Sequence, residues 1–231
     1  MKNSIVFLLL LLFTNNLVRS QNIVTISELE RVTVDGQVFL LFNGSKFNGY
    51  LLRNHEHNHD KMLMEIKEGI PEGLFELYYE SGQLKSRAHL KDGKGDGLFS
   101  EYYENGQLKK RVNTKDGKPI GPVEDYYENG QLHRRMNTKD GKSDGLYEEY
   151  FETGQLKKQE NYKNGLGDGP IFEYYKSGQI RWKGFSKKNK KDGLFSEYYE
   201  NGDFKGEFTY KNGELKGDVN YKKGEIVKQY N

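Results

Sequence analysis

The amino-acid sequence predicts an all-β chain, an elongated antiparallel meander of tandem 24-residue β-hairpins. Three observations predict it. Glycine recurs every 24 residues, at Gly49, Gly73, Gly97, Gly121, Gly145, Gly169, Gly193 and Gly217. A fixed period of this size marks a stack of one supersecondary unit. Two further turn glycines recur in the blocks, at Gly82, Gly106, Gly130, Gly154, Gly178 and Gly202, and at Gly69, Gly93, Gly117, Gly141, Gly165 and Gly213. The third observation is aromatic. Hydrophobic residues make up only 34% of the chain, yet 13% of it is aromatic and the aromatics keep the same period. Low hydrophobicity alone signals disorder. Periodic tyrosines beside periodic glycines argue instead for a thin core of tyrosine, leucine and phenylalanine.

The block at Gly97 shows the elements most clearly. Its first run, Leu98 to Tyr103, is rich in aromatics and ends at Glu104-Asn105-Gly106. Asn-Gly between two such runs predicts a hairpin turn, because both residues accept positive φ. The second run, Gln107 to Thr114, alternates. Leu108 and Val112 share one parity, and Lys109, Arg111 and Asn113 the other, the pattern of a half-buried strand. The same inward parity takes in Leu84, Ala88 and Leu90, Leu132 and Met136, Ile180 and Trp182, and Phe204, Phe208 and Tyr210. Leu156 follows it, while Glu160 breaks it. Asp116-Gly117 is then a tight turn into the next block. Asn189 stands where a third-position glycine is due, and Asn58 where the first block's middle glycine is due. Asparagine tolerates left-handed backbone, so these positions read as conformational requirements. Each block also carries adjacent aromatics: Tyr78-Tyr79, Tyr102-Tyr103, Tyr126-Tyr127, Tyr150-Phe151, Tyr174-Tyr175 and Tyr198-Tyr199. Neighbours on a strand point to opposite faces, so one of each pair is inward. The sequence does not choose which.

The ends differ from the array. Residues 1–20 read as a secretory signal peptide: Lys2, an apolar run from Ile5 to Phe13 too short to span a bilayer, and Val18-Arg19-Ser20 before cleavage. An uncleaved anchor is the alternative. Residues 21–48 form an atypical β cap with a hairpin around Asp35-Gly36. The tandem repeats occupy 49–216, with a degenerate first copy at 49–72. Residues 217–231 are a shortened capping repeat turning at Gly224. Atypical end units are what an array needs to cover its two edges.

The recurring Gly-x-x-x-x-Tyr-Tyr-x-x-Gly-Gln-Leu-Lys unit with its Gly-Lys-x-Asp-Gly link resembles the bacterial variant of the MORN repeat (membrane occupation and recognition nexus). Six blocks carry the resemblance, from Gly73–Asp96 through Gly193–Lys216; the block from Gly49 matches only at its glycines. The resemblance implies a single elongated sheet of hairpins and an interaction role, either scaffolding proteins or contacting phospholipid. Many bacterial chains of this type are labelled antitoxin components. An export signal sits poorly with a cytoplasmic toxin, so that label implies an exported target.

Composition narrows the chemistry. There is no cysteine, which excludes disulfides, thiol chemistry and a lipidated cysteine. The chain has 36 Lys+Arg and 34 Asp+Glu. Removing the signal takes away Lys2 and Arg19 and no acids, leaving 34 against 34, so a nucleic-acid partner is not expected. His55, His57 and His59 could present metal ligands about 6.5–7 Å apart along one strand face. They sit where other blocks place a hairpin turn, which favours a polar turn over a metal site. Glu101, Asp125, Glu149, Glu173 and Glu197 recur at one repeat position, which predicts a ladder of cross-strand ion pairs with lysines. His89 and His133 are isolated and read as solvent-facing. Trp182, inward by parity, reads as core rather than as a ligand platform. Lys187-Lys188-Asn189-Lys190-Lys191 could touch anionic lipid or glycan, but neighbouring acids dilute its charge and it reads as a solvated turn. No nucleophile–base order, phosphate loop or cofactor motif stands out, so no enzyme and no cofactor are expected.

The functional expectation is an exported, non-enzymatic scaffold that binds a protein along its extended face. Tyr78, Tyr102, Tyr126, Tyr150, Tyr174 and Tyr198 are the candidate binding surface, because tyrosine gives large contact area at low entropic cost. An envelope binder of lipid or glycan is the alternative, as is an exported antitoxin or immunity-type inhibitor.

Overall fold

The computed structural model describes residues 23–54, 61–222 and 225–230. The expected leader at 1–20, the histidines 55, 57 and 59, Asn58 and the Gly224 turn lie outside them. The described residues contain no α-helix, only a short 3-10 turn at Ile26–Glu28. They form a 19-stranded sheet and a small 3-stranded one. From Gly49–Asn54 onward the strands of the large sheet pair in chain order, each antiparallel to its neighbours, as far as Glu225–Tyr230. One pair is parallel: Ile23–Thr25 lies beside Tyr50, Leu51 and Leu52 and covers the first edge.

The only compact apolar core among the described residues is at this end. Val24, Leu40, Phe47, Leu51 and Ile66 are buried together, with Leu29, Phe42, Met62 and Met64 packed against them. The hairpin predicted around Asp35-Gly36 is present, with Val34 opposite Gln37. The small sheet docks on the array through its backbone: Leu40 N–H donates to the Gly69 carbonyl at 2.8 Å, and Gly69 N–H to Phe47 at 2.9 Å.

Two turn types alternate along the array; the Asp-Gly turn is the tight turn expected, and the Asn-Gly turn differs from the sequence expectation. Asp116 and Gly117 both have positive φ, 50° and 76°, so Asp-Gly supplies the two-residue turn with positive φ at both positions. Lys188 and Asn189 do the same at 51° and 64°, as expected for Asn189. The Asn-Gly turn is different. Gly106 is at 86°, but Asn105 is not left-handed; its Oδ1 accepts the Gln107 N–H at 2.9 Å. Gly106 N–H donates to the Tyr103 carbonyl at 2.9 Å, and Tyr103 N–H to Gln107 at 2.8 Å. This longer loop leads into a β-bulge: Glu101 faces Lys110, while Tyr102 faces Leu108.

The bulge corrects the predicted parity. Residues paired across antiparallel strands share a face, so Lys109 and Lys110 both fall on the Glu101 side. Leu108 crosses to the Tyr102 side, opposite Val112. The same shift recurs at Leu84, Leu132, Leu156, Ile180 and Phe204, which face Tyr78, Tyr126, Tyr150, Tyr174 and Tyr198. The inward row is instead Phe99–Val112–Val123–Met136–Tyr147–Glu160–Ile171–Gly184, one residue per strand. Val112 and Val123 in it are buried, and burying each such side chain contributes about 1.5 kcal/mol. Glu160, the exception to the apolar pattern, is nevertheless inside, at 6% exposure. Lys158 Nζ, 2.8 Å from its Oε2, and the Tyr162 hydroxyl satisfy it.

Candidate interaction surface

The registers give the sheet two chemically distinct faces, and the tyrosine pairs divide between them. The second tyrosine of a pair joins one repeat to the next. The hydroxyls of Tyr79, Tyr103, Tyr127 and Tyr175 donate to the carbonyls of Tyr102, Tyr126, Tyr150 and Tyr198, at 2.8, 2.7, 2.8 and 2.9 Å. Each reaches 23 residues forward. We call their side the clasp face. Phe151 occupies the same position without a hydroxyl, so the Tyr174 carbonyl receives no clasp from it.

The predicted carboxylate ladder lies on the clasp face. Glu101 pairs with Lys109 at 2.7 Å, Asp125 with Arg134 at 2.6 Å, Glu149 with Lys157 at 2.6 Å, Glu173 with Arg181 at 2.7 Å and Glu197 with Lys205 at 2.9 Å. Two of the five cations are arginines rather than lysines. Lys109, Lys157 and Lys205 also lie over the rings of Tyr103, Phe151 and Tyr199. Hydrogen bonds to the carboxylates raise the pKa of these lysines. With the cations half-exposed, each pair contributes at most about 1 kcal/mol. His133 takes the lysine's place in its repeat and packs on Tyr127, with ring centroids 4.3 Å apart and planes tilted by 34°. It is half-buried rather than solvent-facing; His89 is exposed as expected.

The first tyrosines, the candidate binding residues, are on the opposite side. Tyr78, Tyr102, Tyr126, Tyr150, Tyr174 and Tyr198 are all half-buried. Beside them runs a second charge ladder that sequence reasoning missed: Glu76–Arg87, then Arg111–Glu124–Arg135–Glu148. Arg87, Arg111 and Arg135 stand 24 residues apart, a spacing that could have revealed it. Glu124 is the best-held member, 6% exposed, 2.6 Å from Arg111 and 3.1 Å from Arg135. Burial alone would push its pKa up, but hydrogen bonds from Arg111 and Tyr126 and the two guanidinium charges hold it below the ordinary carboxylate range. The hydroxyls of Tyr78 and Tyr126 donate to Glu76 and Glu124 at 2.5 and 3.0 Å. Burial, then the bond to Glu76, pushes the Tyr78 phenol well above its usual value.

On this second face, four residues before the tyrosine on the same strand parity, stand Leu98, Leu146 and Leu194 at 46%, 43% and 53% exposure. Pro122 and Pro170 take the position in the intervening repeats, and Phe185, opposite Pro170, is also exposed. The result is an apolar row beside a tyrosine row, recurring every two strands, or about 9.6 Å. We call this the stripe face. The rest is shallow. Open recesses of about 240, 320 and 390 Å³ are formed around Trp182, Phe151 and Ile120. Among the described residues, no three His, Asp or Glu side chains converge on a common point. Trp182 is half-buried on the clasp face, with one ring face towards Lys191.

The MORN repeat variant matches residues 71–92, 95–116, 119–140, 143–164 and 191–212. The stretch between the fourth and fifth copies still holds a regular hairpin, Leu166–Tyr174 paired with Ile180–Lys187. No curated protein gives a significant match. The tandem copies, their registers and the all-β sheet agree: the chain is a MORN-repeat-variant protein, a hairpin array of the kind used for binding and interaction.

Proposed function

We propose that the chain is an exported, non-enzymatic scaffold that docks a protein partner along the stripe face. The observation that carries the reading is the apolar row of Leu98, Leu146 and Leu194, exposed and aligned with Tyr102, Tyr150 and Tyr198. Contiguous exposed apolar surface rimmed by polar groups is a mark of an interaction site, and tyrosines beside it suit contact. The clasp face is less suited, because lysines already lie over its Tyr103, Phe151 and Tyr199 rings. The proposal of export rests on Lys2, the apolar run Ile5 to Phe13 and the residues before position 21.

The test is an affinity pull-down with the full chain against envelope and culture-medium fractions of the source organism, read by mass spectrometry. It is run beside the triple variant Leu98→Ser/Leu146→Ser/Leu194→Ser. One saturable protein that is lost with the triple variant supports the reading, and a toxic enzyme in that role would make the scaffold an inhibitor. A partner retained equally by both proteins overturns the assignment of the face. Retention on lipid or glycan with no protein partner replaces the reading by an envelope ligand binder.

A further inference from the structure

In an array of near-identical repeats, a site should be sought where several repeat positions depart from the pattern together and meet in space. That happens once among the described residues, around Lys191. Its ammonium lies 5.2 Å from the ring centroid of Trp182, 4.8 Å from Phe195 and 4.8 Å from Tyr210. Trp182 and Phe195 have centroids 5.7 Å apart, and Phe195 and Tyr210 5.2 Å apart with planes at 72°. Three ring faces thus surround one cation in an open recess of about 240 Å³.

Each departure serves this arrangement. The Trp182 position holds Ser86, then the cations Lys110, Arg134 and Lys158, in the preceding repeats. The Lys191 position holds Gly95, Pro119, Ser143 and Gly167. The cation has therefore left the strand, an indole has replaced it, and a lysine enters from the facing segment. The inward row holds Val112, Met136 and Glu160 but Gly184 here, and a Cβ on Gly184 would lie within 2.5 Å of the Phe195 ring. The missing side chain lets Phe195 lie over the strand and close the third wall. Trp182 and Gly184 fall in the stretch the family model leaves unmatched, and Lys191, Phe195 and Tyr210 in the fifth matched copy.

Lys191 is an occupant held by rings rather than by an opposite charge. The neighbouring carboxylates are engaged elsewhere: Glu173 by Arg181, Glu197 by Lys205 and Asp192 by Lys211. Its side chain is exposed and can swing out, while its backbone stays fixed by the Gly213 N–H at 2.8 Å. A primary ammonium is compact and strongly hydrated, so it loses much on entering a cage of rings. A quaternary ammonium is larger and weakly hydrated and gains the same attraction to the ring faces. We propose that the Trp182–Phe195–Tyr210 cage is a binding site for a quaternary ammonium group, with Lys191 as the displaceable resident.

Trp182 is the single tryptophan of the chain, so its fluorescence reads the cage directly. The full chain is titrated with choline chloride, with sodium chloride at matched ionic strength as control. A saturable change specific to choline is expected. Lys191→Ala should bind about fivefold more tightly once the competitor is gone, and Tyr210→Leu, which keeps the reporter, about tenfold more weakly. Circular dichroism confirms that both variants fold. No choline-specific change in the wild type overturns the proposal, even if Lys191→Ala responds, since the lysine would then be a permanent plug. An unchanged Tyr210→Leu also overturns it. Sedimentation with phosphatidylcholine but not phosphatidylglycerol vesicles identifies a lipid headgroup as the source. A choline response without vesicle binding identifies a free small molecule. The cage is on the clasp face, so the triple leucine variant should respond to choline as the wild type does, whether or not the docking proposal holds.

Discussion

Phe151→Tyr should stabilise the protein. Four joints of the array are closed by a tyrosine hydroxyl on a carbonyl 23 residues ahead, and the joint at Phe151 lacks one. Lys157 and Lys176 lie over the Phe151 ring at 5.9 and 5.8 Å, and both contacts are kept by a tyrosine. The substitution therefore adds one half-buried hydrogen bond to the Tyr174 carbonyl and removes nothing. Such a bond is worth about 1 kcal/mol net, which in a chain of this length is about 2–4 °C in Tm. Tyr127→Phe, which removes a bond of 2.8 Å, should lose about the same. Because a repeat array behaves as a row of units coupled to nearest neighbours, strengthening its weak joint should also sharpen the transition. Urea and thermal unfolding followed by far-ultraviolet circular dichroism and Trp182 fluorescence measure both effects. If Tyr127→Phe is destabilising by about 1 kcal/mol while Phe151→Tyr is neutral, the joint is closed in some other way and the reasoning fails.

Three further outcomes follow from the ladders and turns. Glu124→Ala should cost about 2 kcal/mol in urea unfolding, because it strips a buried carboxylate from Arg111 and Arg135; Glu101→Ala, in the more exposed ladder, should cost less than about 0.5 kcal/mol. The folded-state pKa of Glu124 and Glu149 is lowered, so their stabilisation is full above the unfolded carboxylate value of about 4.3. It is lost as pH falls through the lower folded values. At the alkaline end burial, then the Glu149 charge, raises Tyr147 to about 12, so stability should fall from about pH 10 upward; unfolding midpoints across pH test both limbs. Lys188→Gly should stabilise by about 0.5–1 kcal/mol by relieving a left-handed lysine at φ 51°, judged from the same denaturation curves.

The repeat, its strands and its carboxylate ladder were legible because each depends on residues close in sequence. Asp116-Gly117 needs only local backbone chemistry, and Glu101 meets Lys109 across a single hairpin. The bulge beside Lys109 was not legible. Parity counting assumes an unbroken ladder, and one inserted residue sends Leu108 to the other face. The choice within Tyr102-Tyr103 was hidden for a different reason: the partner of the Tyr103 hydroxyl is a backbone carbonyl in the next repeat, which carries no side-chain signature. The cage around Lys191 was missed because each departure has an ordinary local explanation. Trp182 fits an inward parity and Lys191 fits a solvated turn; only their convergence with Phe195 and Tyr210 in space sets them apart.

The tyrosine hydroxyls all point the same way along the chain, from an earlier repeat to a later one, and this gives the sheet the logic of a ruler. An internal block with tyrosine at this position, such as the one holding Tyr103 or Tyr127, offers a hydroxyl forward and a carbonyl backward. Duplicating a block from Gly97 to Ile120 would join to its neighbours by contacts already present, lengthening the sheet by about 9.6 Å. Gene duplication can therefore set the reach of the protein in equal increments. Only the two ends, with the parallel strand Ile23–Thr25 at one of them, must keep their own sequences.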